Sequence, residues 1–272
     1  MTENLAAFPP GLDRVVRHAS GQALFGRDVL STLVDELQRA ADTRRTDRNW
    51  GPGVLGCAMW MDDPELLQVL GRMANACIVV TKQGKRAHGK PTWPALTELA
   101  EKVGLLQSAY PELSELAVRE ADGNPIVIGP YAGDWTTHTI SGVRELGFRR
   151  AGDQLVPIVH AKILLLGDMW WTDEHPSGFV QDIYGFRPRR LWIGSANFTQ
   201  SSRSSLEMGL WTEDPAMLDA ARKWLLALVE LSEPLGEGPD IMDPELLPVE
   251  YDDAAIAEYM REVGWHNDAE DE

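Results

Sequence analysis

The feature that most constrains the fold is a strand–helix–strand pattern in residues 54 to 81. The apolar run VLGCAMW is followed by DPELLQVLGRMANA, which has helical spacing, and then by the apolar run CIVVT. Asp63 followed by Pro64 is a typical helix start, with the aspartate as N-cap. Two such strands are normally parallel and are joined by a right-handed crossover. The pattern predicts an α/β fold, a mixed sheet flanked by helices on both faces.

Three segments follow from the patterning. Residues 1 to 50 contain RDVLSTLVDELQRAA and predict a helical N-terminal lead-in, and residues 51 to 232 carry the strands of the main domain. Within it we predict strands at 126 to 128, Val156 to Leu166, LWIG and LEMGLW, an irregular stretch at 169 to 190, and a helix from Pro215 to Leu231. Residues 233 to 272 form an acidic C-terminal tail.

The net charge of −17 would argue against a polyanionic partner if it were evenly spread. Residues 233 to 272 hold 14 acidic residues and one basic residue, Arg261, so this tail accounts for −13 and residues 1 to 232 for only −4. The body is therefore compatible with a nucleic acid substrate. The tail is interpreted as a solvated, solubilising segment, or as a nucleic acid mimic that covers Lys162 and the loop 82 to 90.

The sequence predicts a cytoplasmic protein with no membrane partner. It has neither a run of about 18 apolar residues nor the basic and apolar start of a signal peptide. Cys57 and Cys77 lie in apolar runs, which favours buried free thiols over a redox pair or a zinc site.

Two short stretches carry the polar chemistry. His160 and Lys162 are two apart in an apolar strand and therefore project from the same side, where burial is costly unless an anion compensates them. Ser195 and Asn197 follow the LWIG strand in the turn GSANF. Imidazole, ammonium, hydroxyl and amide together would form a phosphate-sized site, with histidine as nucleophile or general acid. No carboxylate cluster is needed, so we expect no metal and no cofactor.

These residues, with Glu207 ten residues beyond Asn197, resemble the phospholipase D superfamily, whose signature is HxK, four residues, Asp, then GSxN. The sequence has Gly167 where the signature has aspartate. Asp168, one place later, is interpreted as a turn residue. Glu207 would either orient His160 or bridge a strand end to a backbone amide.

The resemblance implies a metal-independent phosphodiesterase. Two HxK units share one site: one histidine attacks phosphorus to give a phosphohistidine, the other protonates the leaving oxygen, and water completes hydrolysis. Lysines and asparagines hold the non-bridging oxygens. His88 and Lys90 formally make a second HxK but lie in a loop without a following GSxN. We therefore expect a homodimer that pairs two copies of His160.

The predicted function is a nuclease that cleaves DNA or RNA at a site shared by two subunits. By resemblance alone we expect a setting in bacterial antiphage defence, with a helicase or other defence proteins as partners. The alternatives are a phospholipase or phosphatidyl transferase, and a catalytically degraded nucleic-acid-binding subunit of a larger defence complex. The residues expected to bind substrate are basic and follow or precede strands: Lys82, Lys85, Arg86, Lys90 and Arg190.

Overall fold

A computed structural model describes residues 13–43, 45–46, 48–82, 93–113, 139–147, 150–151, 154–155, 157–174 and 180–236. The helices in these ranges are α1 (Val29–Asp42), α2 (Pro64–Leu70), α3 (Trp93–Lys102) and α4 (Pro215–Leu231). The strands are β1 (Arg14–His18), β2 (Gly21–Gly26), β3 (Asn49–Ala58), β4 (Asn75–Thr81), β5 (Gly104–Leu106), β6 (Thr139–Ser141), β7 (Val143–Leu146), β8 (Arg150–Ala151), β9 (Gln154–Leu155), β10 (Ile163–Glu174), β11 (Val180–Gly194), β12 (Glu207–Thr212) and β13 (Glu233–Pro234).

Most of the strands belong to one mixed sheet, in the order β1-β2-β12-β11-β10-β3-β4-β7-β13. β4 is parallel to β3 and to β7, and the remaining neighbours are antiparallel. The unit β3-α2-β4 is the strand–helix–strand element that the sequence predicts. The Asp63 carboxylate accepts a hydrogen bond from the Leu66 amide at 2.9 Å, and Pro64 occupies the first turn of α2. Capping therefore begins this helix where the sequence places it.

Helices cover both faces of the sheet, which confirms the predicted fold class. One face packs against α1, α2 and α3, and its core includes Leu33, Leu66, Leu96, Trp192 and Trp211. The other face packs against α4, and its core includes Leu55, Val79, Tyr110, Leu165 and Leu225. No helix in the described ranges is both long and apolar enough to span a membrane.

The helical prediction for residues 1 to 50 is correct for α1 and wrong for residues 14 to 26. Arg14–His18 and Gly21–Gly26 form a hairpin, and β2 pairs with β12 through registers such as Phe25 opposite Met208. β-branched valines beside a short turn favour strands over helix. The segment therefore extends the main sheet as its edge rather than leading into it.

The predicted irregular stretch from 169 to 190 is also wrong. β10 and β11 continue as a long antiparallel ribbon in which Trp171 lies opposite Tyr184. Gly185 makes room for the Trp170 ring, since a Cβ there would come within 2.4 Å of it. Asp168 is accordingly a strand residue rather than a turn residue. Alternating aromatic and β-branched side chains favour strand over the loop that Trp, Pro and Gly suggest.

Two predicted boundaries shift. β10 begins at Ile163, so His160 and Lys162 lie in the irregular segment before the strand and not within it. Glu233 and Pro234, assigned to the tail, form β13 on the sheet edge beside β7. The predicted strand at 126 to 128 and the tail from 237 onward lie outside the described residues.

Candidate active site

The candidate site lies where four strand ends meet at one edge of the sheet. Ile163 at the start of β10 lies between Cys57 of β3 and Ile193 of β11. The Gly194 amide donates to the Lys162 carbonyl at 3.0 Å, and the Ser195 amide donates to the Met208 carbonyl at 3.0 Å. Backbone pairing therefore brings the segments holding His160, Lys162, Ser195, Asn197 and Glu207 to a single edge.

His160 and Lys162 are adjacent there. The Lys162 ammonium Nζ lies 3.5 Å from His160 Nδ1, as expected for residues that project from the same side. Lys162 is only 7% exposed, whereas His160 is open to solvent. Burial lowers the pKa of Lys162, and the Glu207 charge partly offsets that effect. A desolvated ammonium beside an accessible imidazole is suited to holding an anion.

Cys57 lies beneath this pair. Its Sγ contacts the Ala161 carbonyl oxygen at 3.7 Å, and burial raises the pKa of the thiol to about 12. The sequence predicts a buried free thiol here, and Cys57 and Cys77 are both free and buried. A neutral thiol packs against the site without adding a charge to it.

Ser195 and Glu207 are linked directly. The Ser195 hydroxyl donates to Glu207 Oε2 in a short hydrogen bond and accepts from the Met208 amide at 2.9 Å. Among the described residues the Glu207 carboxylate bonds to Ser195, and no hydrogen bond links it to His160 or to a backbone amide, the two interpretations open from the sequence. It fixes the turn after β11 and places a negative charge near Lys162.

The turn that carries Asn197 is held by the loop after β3. The Phe198 amide donates to the Trp60 carbonyl at 3.1 Å, and the Phe198 carbonyl accepts from the amides of Asp62 and Asp63 at 2.9 and 3.0 Å. Asn197 Oδ1 is buried, and in the described part of the chain it has no hydrogen-bond partner. The fold thus fixes the backbone around Asn197 and leaves its carbonyl oxygen for a ligand.

Arg203, which the sequence analysis did not select, ties this turn to α2. It donates to both carboxylate oxygens of Asp63, at 2.5 and 2.8 Å, and lies 2.9 Å from Glu65. Capping and this ion pair account for the acidic residues at the start of α2. Across the described ranges, no group of three or more His, Cys, Asp or Glu could hold a metal ion.

Two of the predicted substrate-binding residues, Lys82 and Arg190, form ion pairs with glutamates of the fold. Lys82 is buried, with Nζ 3.2 Å from Glu233 Oε2. Arg190 pairs with Glu36 and Glu213 and lies over the Trp211 ring, 4.7 Å from its centroid. Arg190 and Ser195 are five positions apart along the chain, about 16 Å in extended backbone. Both side chains are therefore held in ion pairs within the fold, and their role in substrate binding stays a prediction.

The remaining predicted basic residues, Lys85, Arg86 and Lys90, lie outside the described residues, as does His88. Asp168 lies mid-strand, and each of its carboxylate oxygens is 3.2 Å from Arg189 Nη1. It therefore does not take the place of the signature aspartate next to His160.

The chain matches no protein-family model and none of the curated proteins. Among solved structures it matches NucT from Helicobacter pylori, with a TM-score of 0.44 and 12% identity over 77% of this chain and 92% of that chain. A phospholipase D family member, Nuc from Salmonella typhimurium, matches with a TM-score of 0.39 and 12% identity over 75% of this chain and 88% of that chain. The similarity is one of fold. TrmBL2, an archaeal chromatin protein, matches with a TM-score of 0.36 and 10% identity over 85% of this chain and 57% of that chain.

Proposed function

We propose that this protein is a metal-independent phosphodiesterase of the nuclease class that acts as a homodimer. The observation that carries the proposal is the contact of 3.5 Å between Lys162 Nζ and His160 Nδ1, at the edge where Ser195 and Asn197 also lie. These groups can bind a phosphate and attack it without a cofactor.

Binding of the phosphate falls to the ammonium of Lys162 and the side-chain N–H groups of Asn197, because phosphate oxygens accept hydrogen bonds. Because Lys162 is desolvated, its charge acts on a bound anion with less screening than a surface lysine would give. Ser195 is committed to Glu207 and to the Met208 amide, so its part is to hold the turn that presents Asn197.

The reaction needs His160 in two protonation states. The imidazolium, which carries a proton on Nε2, is the general acid that protonates the leaving oxygen and becomes neutral imidazole. The neutral imidazole with a lone pair on Nε2 is the nucleophile. One histidine cannot hold both forms at once, which favours two copies of His160 in the reaction.

The reaction then proceeds in two steps, in which one histidine is the nucleophile and the other acts first as an acid and then as a base. Nε2 of one His160 bonds to phosphorus while the P–O bond to the leaving group breaks, and the other His160 protonates that oxygen. The second histidine then takes a proton from water, whose oxygen bonds to phosphorus as the N–P bond breaks. Both histidines return to their starting forms, and a phosphomonoester is released.

An exposed apolar surface next to the site supports the two-chain arrangement. Val16, Phe25 and Met208 lie on one side of the edge strands and are 51%, 41% and 44% exposed. Met208 directly follows Glu207, so a second copy seated on this surface would lie beside the catalytic edge. We call Val16, Phe25 and Met208 the edge patch.

Cleavage assays in EDTA test the proposal. Wild-type protein and His160→Ala are incubated with single-stranded DNA, duplex DNA, RNA and phospholipid vesicles. We expect the wild type to cleave at least one nucleic acid and His160→Ala to lose that activity. His18→Ala is the matched control, because His18 contacts Ser20 at the other end of the sheet edge. Strict dependence on added magnesium, release of lipid headgroup alone, or binding without turnover would contradict it.

A further inference from the structure

A basic concavity lies farther along the β10–β11 ribbon from the His160 edge. It is bounded by the end of α1, the start of β3 and the middle of β10 and β11, and its volume is about 170 Å³. Its charged lining residues are Glu36, Arg39, Arg45, Asp168, Arg189 and Arg190. We call this concavity the arginine pocket.

The arginine pocket holds more positive than negative charge. Four guanidinium groups line it against the two carboxylates of Glu36 and Asp168. Glu36 is shared between Arg39, at 2.8 Å, and Arg190. The pair between Arg189 and Asp168 is open to solvent on the arginine side, which is 58% exposed. Glu213 also pairs with Arg190 at 3.2 Å, which leaves one excess positive charge in the cluster, in contrast to the negative charge of the chain as a whole.

Arg45 is the guanidinium that the fold leaves uncommitted. In the described part of the chain its side chain makes no ion pair and no hydrogen bond. It lies across Gly51, where an added Cβ would come within 2.9 Å of Arg45 Nε. Nearby, the Asn49 side-chain oxygen accepts from the Gly51 amide at 2.9 Å, so its amide N–H groups can donate to a ligand.

The size and donors of the pocket define its ligand. A cavity of about 150 Å³ holds a benzene-sized molecule, whereas whole drug-sized ligands occupy about 300 to 1,000 Å³. The pocket therefore accommodates a phosphate group and not a complete nucleotide. Guanidinium forks match the oxygens of a phosphate in paired hydrogen bonds.

We infer that the arginine pocket binds the phosphate group of a phosphorylated ligand, with Arg45 and Arg189 as the exposed donors. Arg189 can leave Asp168 for the phosphate because exposed ion pairs contribute little to stability. The pocket lies about 16 to 20 Å along β11 from Ser195. If the proposed function holds, this spacing would let it grip the substrate strand several nucleotides from the bond being cleaved. Binding of the phosphate itself does not depend on that activity.

Direct binding measurements test this inference in the His160→Ala chain, where the proposed chemistry is absent. Inorganic phosphate, a 5′-mononucleotide and a short single-stranded oligonucleotide are titrated by calorimetry at fixed ionic strength. Arg45→Gln and Arg189→Gln are compared with Lys223→Gln, which removes one exposed cation on α4, paired with Asp219. Each pocket variant should lower phosphate affinity about tenfold at this site, while Lys223→Gln retains it.

The ligands distinguish the source of the phosphate. Parallel losses for the oligonucleotide support a nucleic acid strand as the ligand, and losses confined to phosphate and the mononucleotide support a small phosphorylated molecule. An equal loss of affinity in all three variants, or no loss in the two pocket variants, would overturn the inference that the arginine pocket binds phosphate. The melting temperature of Arg45→Gln without ligand shows that the fold is retained, because in the described ranges Arg45 has no polar partner to lose. If the nuclease assay fails, the measured binding of phosphate at the arginine pocket is unaffected, because it does not depend on cleavage.

Discussion

At the scale of single residues, burial of the Lys162 ammonium is unfavourable for folding and favourable for binding an anion. An ammonium that is almost fully buried costs free energy unless an anion compensates it. Across the described residues, no carboxylate lies within ion-pair distance of Lys162, and Glu207 acts on it only as a more distant charge. Burial consequently lowers the pKa of Lys162. A bound phosphate would supply the missing negative charge, so this cost to folding becomes affinity for substrate.

The same balance predicts a shift in the pH profile. In the proposed reaction cleavage needs the protonated Lys162, so it should be lost as pH rises through the pKa of Lys162, which lies below the usual 10.5. Glu207→Gln removes the charge that raises this pKa, so the alkaline limb of the rate profile should move to lower pH. Asp219→Asn, on the exposed face of α4, should leave the limb in place. An unmoved limb in Glu207→Gln would mean that Glu207 acts only through Ser195.

At the scale of elements, Asp63 joins the start of α2 to the segment after Asn197. Its carboxylate is fully buried, caps the helix and binds Arg203. Burial raises the pKa of Asp63, but hydrogen bonds from Arg203 and the Leu66 amide outweigh it, and the net pKa is below 3.8. The charged form is therefore favoured in the folded state.

Asp63→Asn isolates that charge, because asparagine still caps a helix. We expect the variant to be about 1.5 to 3 kcal/mol less stable at neutral pH, the range for hydrogen bonds to charged groups. The folded pKa is depressed, so this difference is present above pH 3.8 and is lost as pH falls through the lowered pKa.

Denaturant unfolding of the wild type and of Asp63→Asn between neutral and acidic pH measures this difference in the free energy of unfolding. Asp219→Asn, which breaks an exposed pair with Lys223, should show a much smaller difference at every pH. If the difference in the free energy of unfolding between wild type and Asp63→Asn stays constant with pH, the ion pair of Asp63 with Arg203 is not its cause.

Local signals in the sequence predicted some elements and failed for others. The cap at Asp63 and the apolar runs of β3 and β4 are local, and they place that unit correctly. The ribbon of β10 and β11 depends on pairing between residues such as Trp171 and Tyr184, and this pairing overrides the local preference of Trp, Pro and Gly for loops. The hairpin β1-β2 is likewise stabilised by pairing with β12.

The candidate site shows the same division. The spacing of His160 and Lys162 predicts that they project together, which the contact between them agrees with. No local signal shows that Lys82 reaches Glu233 across 151 residues, or that Arg190 is taken by Glu36 and Glu213. Long-range ion pairs decide which of the basic residues are free to meet a ligand.

At the scale of the whole molecule, the edge patch and the presence of one HxK unit followed by GSxN both point to a shared site between two chains. Burying an exposed apolar surface drives association, and a two-fold axis would apply the same surface to both chains. The edge patch lies beside Ser195 and Glu207, so the surface that assembles the dimer would also bring two copies of His160 together. Assembly and activity should then fail together.

Val16→Glu and Phe25→Glu test that link without touching the catalytic residues. Each places a charge in the edge patch, so both should shift the protein to monomers in light scattering and reduce cleavage at least tenfold. Met217→Glu, at an exposed apolar position on α4 outside the patch, is the matched control and should stay dimeric and active.

Mixed dimers with one His160→Ala chain should lose most activity, because each site would then lack one of its two histidines. A fully active monomer, or a mixed dimer with undiminished turnover, would place both steps of the reaction within a single chain.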